Sequence, residues 1–206
     1  MGMTGAELMA ELEADPEWVA ARDARDREIE LDETASRKQQ VPLRADLSAV
    51  GVRVADVWEL VNTAEPYPTA IPVLVEHLHR EYDAGVREGI ARALAVTDAA
   101  PYWDEIMKLF RASDPDQVRI YQGLAAALSG MATRHQLRQV RDVLRDRSVG
   151  GGRGFFLSTL TRLRAPDRWD LIGEFAEDPE IGAEARHLLH QRELRQAAKA
   201  RRSAGG

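Results

Sequence analysis

The chain has 206 residues, 44% hydrophobic and 30% charged, enough to bury a sizeable core in one domain with an appendage. It has no cysteine, which excludes disulfides and thiolate metal sites and fits a cytoplasmic location. No apolar run approaches the roughly 18–20 residues of a membrane span, and no basic stretch followed by an apolar one marks a secretory signal, so neither membrane nor export is expected.

The net charge of −6 is unevenly spread. Residues 1–66 hold 7 basic and 15 acidic side chains, residues 67–190 hold 16 and 18, and residues 191–206 hold 5 and 1. The acidic front argues against a chain that coats nucleic acid along its whole length, while leaving room for a local basic patch. Lysine occurs only at Lys38, Lys108 and Lys199, an arginine bias that fits a GC-rich bacterial genome.

Thr4 with Glu7 three residues on is a capping-box pattern and predicts a short helix carrying Leu8, Met9 and Leu12. Asp15-Pro16-Glu17 starts a second helix, because proline costs least in a first turn. From there to about Gln40 the sequence is charged nearly all round, with only Trp18, Val19, Ile29 and Leu31 to pin it. Pro42 is expected to end or kink this helix. Leu43–Val50 and Val54–Val61 read as two short amphipathic helices separated by Gly51, and the turn-rich "NTAEPYP" at 62–68 marks a boundary.

Beyond that boundary the pattern becomes regular. Leu74/Leu78, Ile106/Phe110, Val140/Leu144 and Ile172/Ala176 recur at steps of 32, 34 and 32 residues. Between them stand second helices at Ile90/Leu94, Leu124/Leu128, Phe156/Leu160 and Ile181/Ala185/Leu188, and the connecting turns are "REYDAG", "SDPDQ", "SVGGGRG" and "EDPE". The spacing is helical throughout, with no alternating strand run. A two-helix unit of this period must stack on its neighbours to cover its apolar face. The expectation is an all-α, right-handed α-solenoid of about four helix pairs, with an acidic helical extension over 1–66, the repeats over 67–190 and a basic tail over 191–206 that frays.

"DAGVREGIARALA" (83–95) and "SDPDQVRIYQGLAAALSG" (113–130) resemble second helices of HEAT repeats, with an acidic turn followed by Val86-Arg87 and Val118-Arg119. The resemblance is clearest over 68–130 and extends to about 190, where "EDPEIGAEARHLL" keeps the Asp-Pro turn and "GGGRGFFLSTLTRL" lacks it. It implies a curved surface that binds other proteins, less often nucleic acid, and no reaction of its own. In such a stack Arg92 and Gln122, opposite the apolar stripes of their helices, fall on the concave side.

Arg134, Arg138, Arg141 and Arg145 form a stripe opposite Leu137, Val140 and Leu144. Over 134–168 nine arginines face three aspartates, and Arg153 sits in "GGGRG", where glycine amides and guanidinium groups together can hold an anion. The bland alternative is a solvated face with Arg138 and Asp142 paired one turn apart. Tyr121, flanking Leu124, is an aromatic contact candidate, whereas Trp58, Trp103 and Trp169 occupy apolar positions and read as packing. Two Glu-x-x-His pairs, Glu76/His79 and Glu184/His187, have the spacing of carboxylate-bridged metal sites but lie 108 residues apart, so no metal and no cofactor is expected. The leading expectation is a non-enzymatic module, an adaptor or an immunity-type inhibitor. It binds a protein through the solenoid surface, with Arg92, Tyr121, Arg134, Arg138, Arg141, Arg145 and Arg153 as contact candidates. The alternative is a nucleic acid or phosphate-bearing ligand held by residues 134–168.

Overall fold

The computed structural model describes the backbone of residues 4–204 and the side chains of 4–27 and 34–202. Ile29 and Leu31 therefore lie outside the described side chains. Among the described residues every regular element is a helix, so the chain is all-α, and no helix is long and apolar enough to cross a membrane.

Helix α1 (Gly5–Glu13) opens with the capping box, Thr4 N–H donating to Glu7 Oε2 at 2.8 Å and Glu7 N–H to Thr4 Oγ1 at 3.3 Å. Helix α2 (Pro16–Gln39) starts from Asp15, whose carboxylate accepts the Glu17 amide proton. The two pack together over Leu12, Trp18 and Val19, with the Arg22 guanidinium 5.4 Å from the Trp18 ring centroid. Helix α2 ends at Gln39, with Gln40 as its C-cap, two residues before Pro42, which sits in the first turn of α3 (Val41–Ala49), where its missing N–H is harmless.

Gln40, fully buried between these helices, accepts the Val57 amide proton at 2.9 Å and donates to Asp56 Oδ2 at 2.8 Å. That capture holds 52–57 out of regular structure, so the helix expected over Val54–Val61 is cut to α4 (Trp58–Asn62), with Asp56 accepting from the Trp58 amide. A side chain that satisfies a buried amide competes directly with the helical bond at that amide.

Eight helices follow in pairs: α5 (Ile71–Leu78) with α6 (Ala84–Ala93), α7 (Trp103–Ala112) with α8 (Val118–Met131), α9 (Leu137–Arg145) with α10 (Gly154–Arg162), and α11 (Arg168–Glu174) with α12 (Gly182–Ala204). The second members also meet one another, α6 on α8, α8 on α10 and α10 on α12, while α3 packs on α5 and α4 on α6. The recurring apolar residues Leu74, Leu78, Ile90, Leu94, Ile106, Phe110, Leu124, Leu128, Val140, Leu144, Phe156, Leu160 and Ile172 are all buried. They belong to one core that runs from Leu43 to Ala185. Tyr67 carries that core through the 62–68 turn, its hydroxyl donating to Ala93 O at 2.8 Å.

Helices α6 and α8 approach closely because Gly123 faces α6, where a Cβ would stand 3.1 Å from the Ala91 Cβ. At its other end α12 is helical to Ala204. Its last three turns are built from Leu, Arg, Gln, Ala, Lys and Ser, with neither glycine nor proline to stop them.

Candidate functional site

Half of the arginine stripe faces acidic groups of α11 and its start. Arg141 binds Asp167 through two bonds, Nη2 to Oδ1 at 2.6 Å and Nε to Oδ2 at 3.1 Å, tying α9 to the start of α11. This contact holds the Asp167 carboxyl below the usual range. Arg145 lies 3.9 Å from Glu174. Further along, Arg162 donates to the carbonyls of Ser129 and Ala132 at the end of α8, and Arg168 donates to Ala165 O while lying over Trp169. The Arg138–Asp142 pair does not form; among the described residues Arg134 and Arg138 are exposed and make no ion pair or side-chain hydrogen bond.

Two of the contact candidates belong to the interior. Arg153 is 1% exposed and donates to Leu144 O, Gly150 O, both oxygens of Asp178 and Glu180 Oε2. The glycine-rich turn therefore holds a cation against two carboxylates of the following pair, and is not an anion cradle. Asp178 is 5% exposed. Burial pushes its carboxyl up, but the Glu180 and Ile181 amides and Arg153 outweigh this and hold it below the usual value. Tyr121 is likewise buried, stacked on Phe110 with ring centroids 4.7 Å apart and its hydroxyl donating to Val149 O. Gly152 stands where a Cβ would meet the Tyr121 ring at 2.7 Å. An arginine among glycines and a tyrosine beside an apolar stripe carry no local sign of burial.

Arg92 is half-buried on α6 and bonds Glu88 one turn back at 2.8 Å. Glu88 also lies 3.9 Å from Arg119 of α8, so the two helices share a charged rung. Arg119, 69% exposed, continues into an open cleft of about 1070 Å³ between the end of α2, the segment before α4, and the start of α6. Trp58, half-buried, forms part of its wall, with Arg37, Arg44, Asp56, Glu59 and Asp83 around it. Asp83 caps α6 through the Val86 amide, and its own amide donates to Gln39 Oε1 of α2 at 2.8 Å. The cleft mixes an aromatic wall with both signs of charge, a composition suited to a polypeptide surface. Trp58 reads as packing from its sequence position, and nothing local reveals the cleft, because its walls come from residues 35–59, 83–85 and 119.

A second cluster missed by spacing surrounds His77. The ring is fully buried, Nε2 lies 2.8 Å from Asp46 Oδ2 and Nδ1 2.6 Å from the Tyr82 hydroxyl, with the two rings stacked. Burial raises the Tyr82 phenol, which keeps its proton, and the tautomer in which that hydroxyl donates to Nδ1 is the one that gives Asp46 the Nε2 proton. The order carboxylate, imidazole, hydroxyl matches that of a nucleophile relay, but here a phenol with a raised pKa ends it and the imidazole has no surface. The cluster straps α3 to α5 and to the turn before α6. Of the Glu-x-x-His pairs, Glu76 bonds Arg80 and His79 bonds Glu105. Among the described residues no group of three or more potential ligands converges. Compared with family models, with curated proteins and with solved structures, the chain has no match in any of the three.

Proposed function

We propose that the chain is a HEAT-like, right-handed α-solenoid that acts as a protein-interaction module, an adaptor or inhibitor rather than an enzyme, in the cytoplasm. The succession of second helices α6, α8, α10 and α12, each on the next, supports the solenoid reading. The observation that carries the function is the open cleft with Trp58 in its wall and Arg119 at its rim, adjoining the Glu88–Arg92 rung of α6. Tryptophan and arginine are the residue types that most often dominate protein interfaces. A cleft open to solvent accepts a helix or extended segment of another protein more readily than a small ligand that must be enclosed.

The nucleic-acid alternative is weakened by the same structure. Arg141, Arg153 and Arg162 of the basic region bond protein groups, while Arg134, Arg138, Arg147 and Arg164 are exposed and make no ion pair among the described residues. Partner capture with the full chain, followed by affinity measurement on variants, tests the reading. Arg119→Glu and Trp58→Ala are each expected to weaken the captured protein at least about tenfold, while Arg138→Glu leaves binding unchanged. Retained affinity in both cleft variants overturns the proposal. Binding that falls steeply with salt and is lost in Arg134→Glu/Arg138→Glu supports the nucleic-acid reading instead.

A further inference from the structure

The two ends of the described chain carry opposite charges on helices that project beyond the core. Residues 4–21 hold Glu7, Glu11, Glu13, Asp15 and Glu17 and no basic side chain. None of the α1 residues is buried, and Leu8 and Met9 are 45% and 46% exposed even though α1 packs on α2. Glu11 and Glu17 have no side-chain partner among the described residues. At the other end α12 packs on α10 and α11 through its first turns, and from Glu193 to Arg202 every residue is exposed. This stretch holds Arg195, Lys199, Arg201 and Arg202 against Glu193 alone, and Leu194 is 52% exposed. Leu194, Ala197 and Ala198 share one helical face by their spacing.

We infer that this chain associates with itself, the acidic stretch 4–21, comprising α1 and the start of α2, of one copy receiving the basic end of α12 of a second copy. The occupant is argued from charge. A carboxylate-only arm with exposed Leu8 and Met9 is complementary to an arginine-rich helix with exposed Leu194, and few surfaces satisfy both the sign and the apolar stripe. Within one chain the two elements stand at opposite ends of the succession α1, α2, α6, α8, α10, α12. Two copies set antiparallel make the contact reciprocally, each arm taking the other's tail, and this two-fold arrangement is the one that closes at a dimer. The pairing uses exposed charges, so it weakens with salt as the screening length falls from about 10 Å at 0.1 M to about 3 Å at 1 M.

Sedimentation equilibrium on the full chain tests this. At about 0.1 M salt the mass rises with concentration from 22.9 kDa toward twice that value, and at about 1 M it stays at the single-chain value. Glu11→Lys/Glu17→Lys and Arg195→Glu/Arg202→Glu each lose at least about tenfold in association, with helicity by circular dichroism unchanged because all four positions are exposed. An equimolar mixture of the two variants associates more strongly than the arginine-reversed variant alone, since its unaltered acidic arm then meets the unaltered basic tail of the other variant. Leu194→Gln, which alters no charge, weakens the same association and guards against a purely non-specific charge effect. A single-chain mass across the concentration series at low salt overturns the inference. So does a dimer that survives both reversals, or a mixture that associates no more strongly than the arginine-reversed variant alone.

Discussion

Arg153 changes role most between chain and fold. In sequence it is an isolated cation among glycines, and its partners Asp178 and Glu180 stand 25 and 27 residues away, short of the 32–34-residue recurrence that reveals the helices. No period search pairs them. Removing the guanidinium leaves Asp178 buried beside the carbonyls of Leu144 and Gly150. Arg153→Met is therefore expected to cost about 3 kcal/mol, because breaking a buried pair from one side strands the other charge. Urea unfolding measures it, and a loss under about 0.5 kcal/mol would contradict the assignment. Arg164 offers the opposite sign. It is the residue after the C-cap of α10, at φ 54°, with the Arg164 and Ala165 amides donating to Thr161 and Leu160. The same pair of bonds closes α3 at Gly51, Val52 to Leu47 and Gly51 to Ser48, where glycine takes φ 86° without strain. Arg164→Gly is expected to stabilise the chain by about 0.5–1 kcal/mol, and a lowered melting temperature would refute this.

At the scale of elements, the helices whose apolar residues meet a neighbouring helix are the ones legible in the sequence. Leu74/Leu78, Ile106/Phe110 and Leu124/Leu128 mark α5, α7 and α8 because burying one stripe is what makes these helices stable. The segment before α4 is illegible for the converse reason. Val54 and Val57 have helical spacing, but the buried Gln40 amide group takes the Val57 N–H, a contact across 17 residues that no local pattern encodes. The close passage of α8 past the turn after α6 is similarly hidden. A Cβ at Gly130 would fall on the carbonyl of Ala95, a backbone atom that cannot swing aside. Gly130→Ala is therefore expected to destabilise the fold by about 1–3 kcal/mol, against the usual gain from alanine in a helix. Gly151→Ala, with no atom within 4 Å of its Cβ, is the matched control and stays close to neutral. Equal stability of the two variants in thermal unfolding would rule out that close approach.

For the molecule as a whole, the recurrence at 32 and 34 residues locates the paired helices but not how the later pairs are tied together. Those ties are polar: Arg111 to Asp146, Arg141 to Asp167, and Arg153 to Asp178. The sequence shows the charges as a basic patch because it counts them by neighbourhood in the chain, whereas the fold pairs them across successive helices. This has a consequence for acid stability. Asp146, bonded by Ser148 and Arg111, Asp167, bonded by Arg141, and Asp178, bonded by amides and Arg153, are each held below the ordinary value of 3.8. A carboxyl that titrates lower folded than unfolded binds fewer protons when folded, so its stabilisation is complete above 3.8 and is lost as pH falls from there through the folded pKa. These three groups lie on the contacts of α7, α9, α10 and α11 and none on α5 or α6, so acid is expected to loosen the C-terminal pairs first. Thermal unfolding from pH 7 to 5 should be insensitive to these groups, and below about 4 the melting temperature should drop. Hydrogen exchange should then show protection disappearing in α9–α11 before α6 and α8. Arg153→Met, in which Asp178 has already lost its partner, should show a shallower acid decline than the natural chain. Parallel declines would mean that the pairing of Asp178 with Arg153 is not what acid removes.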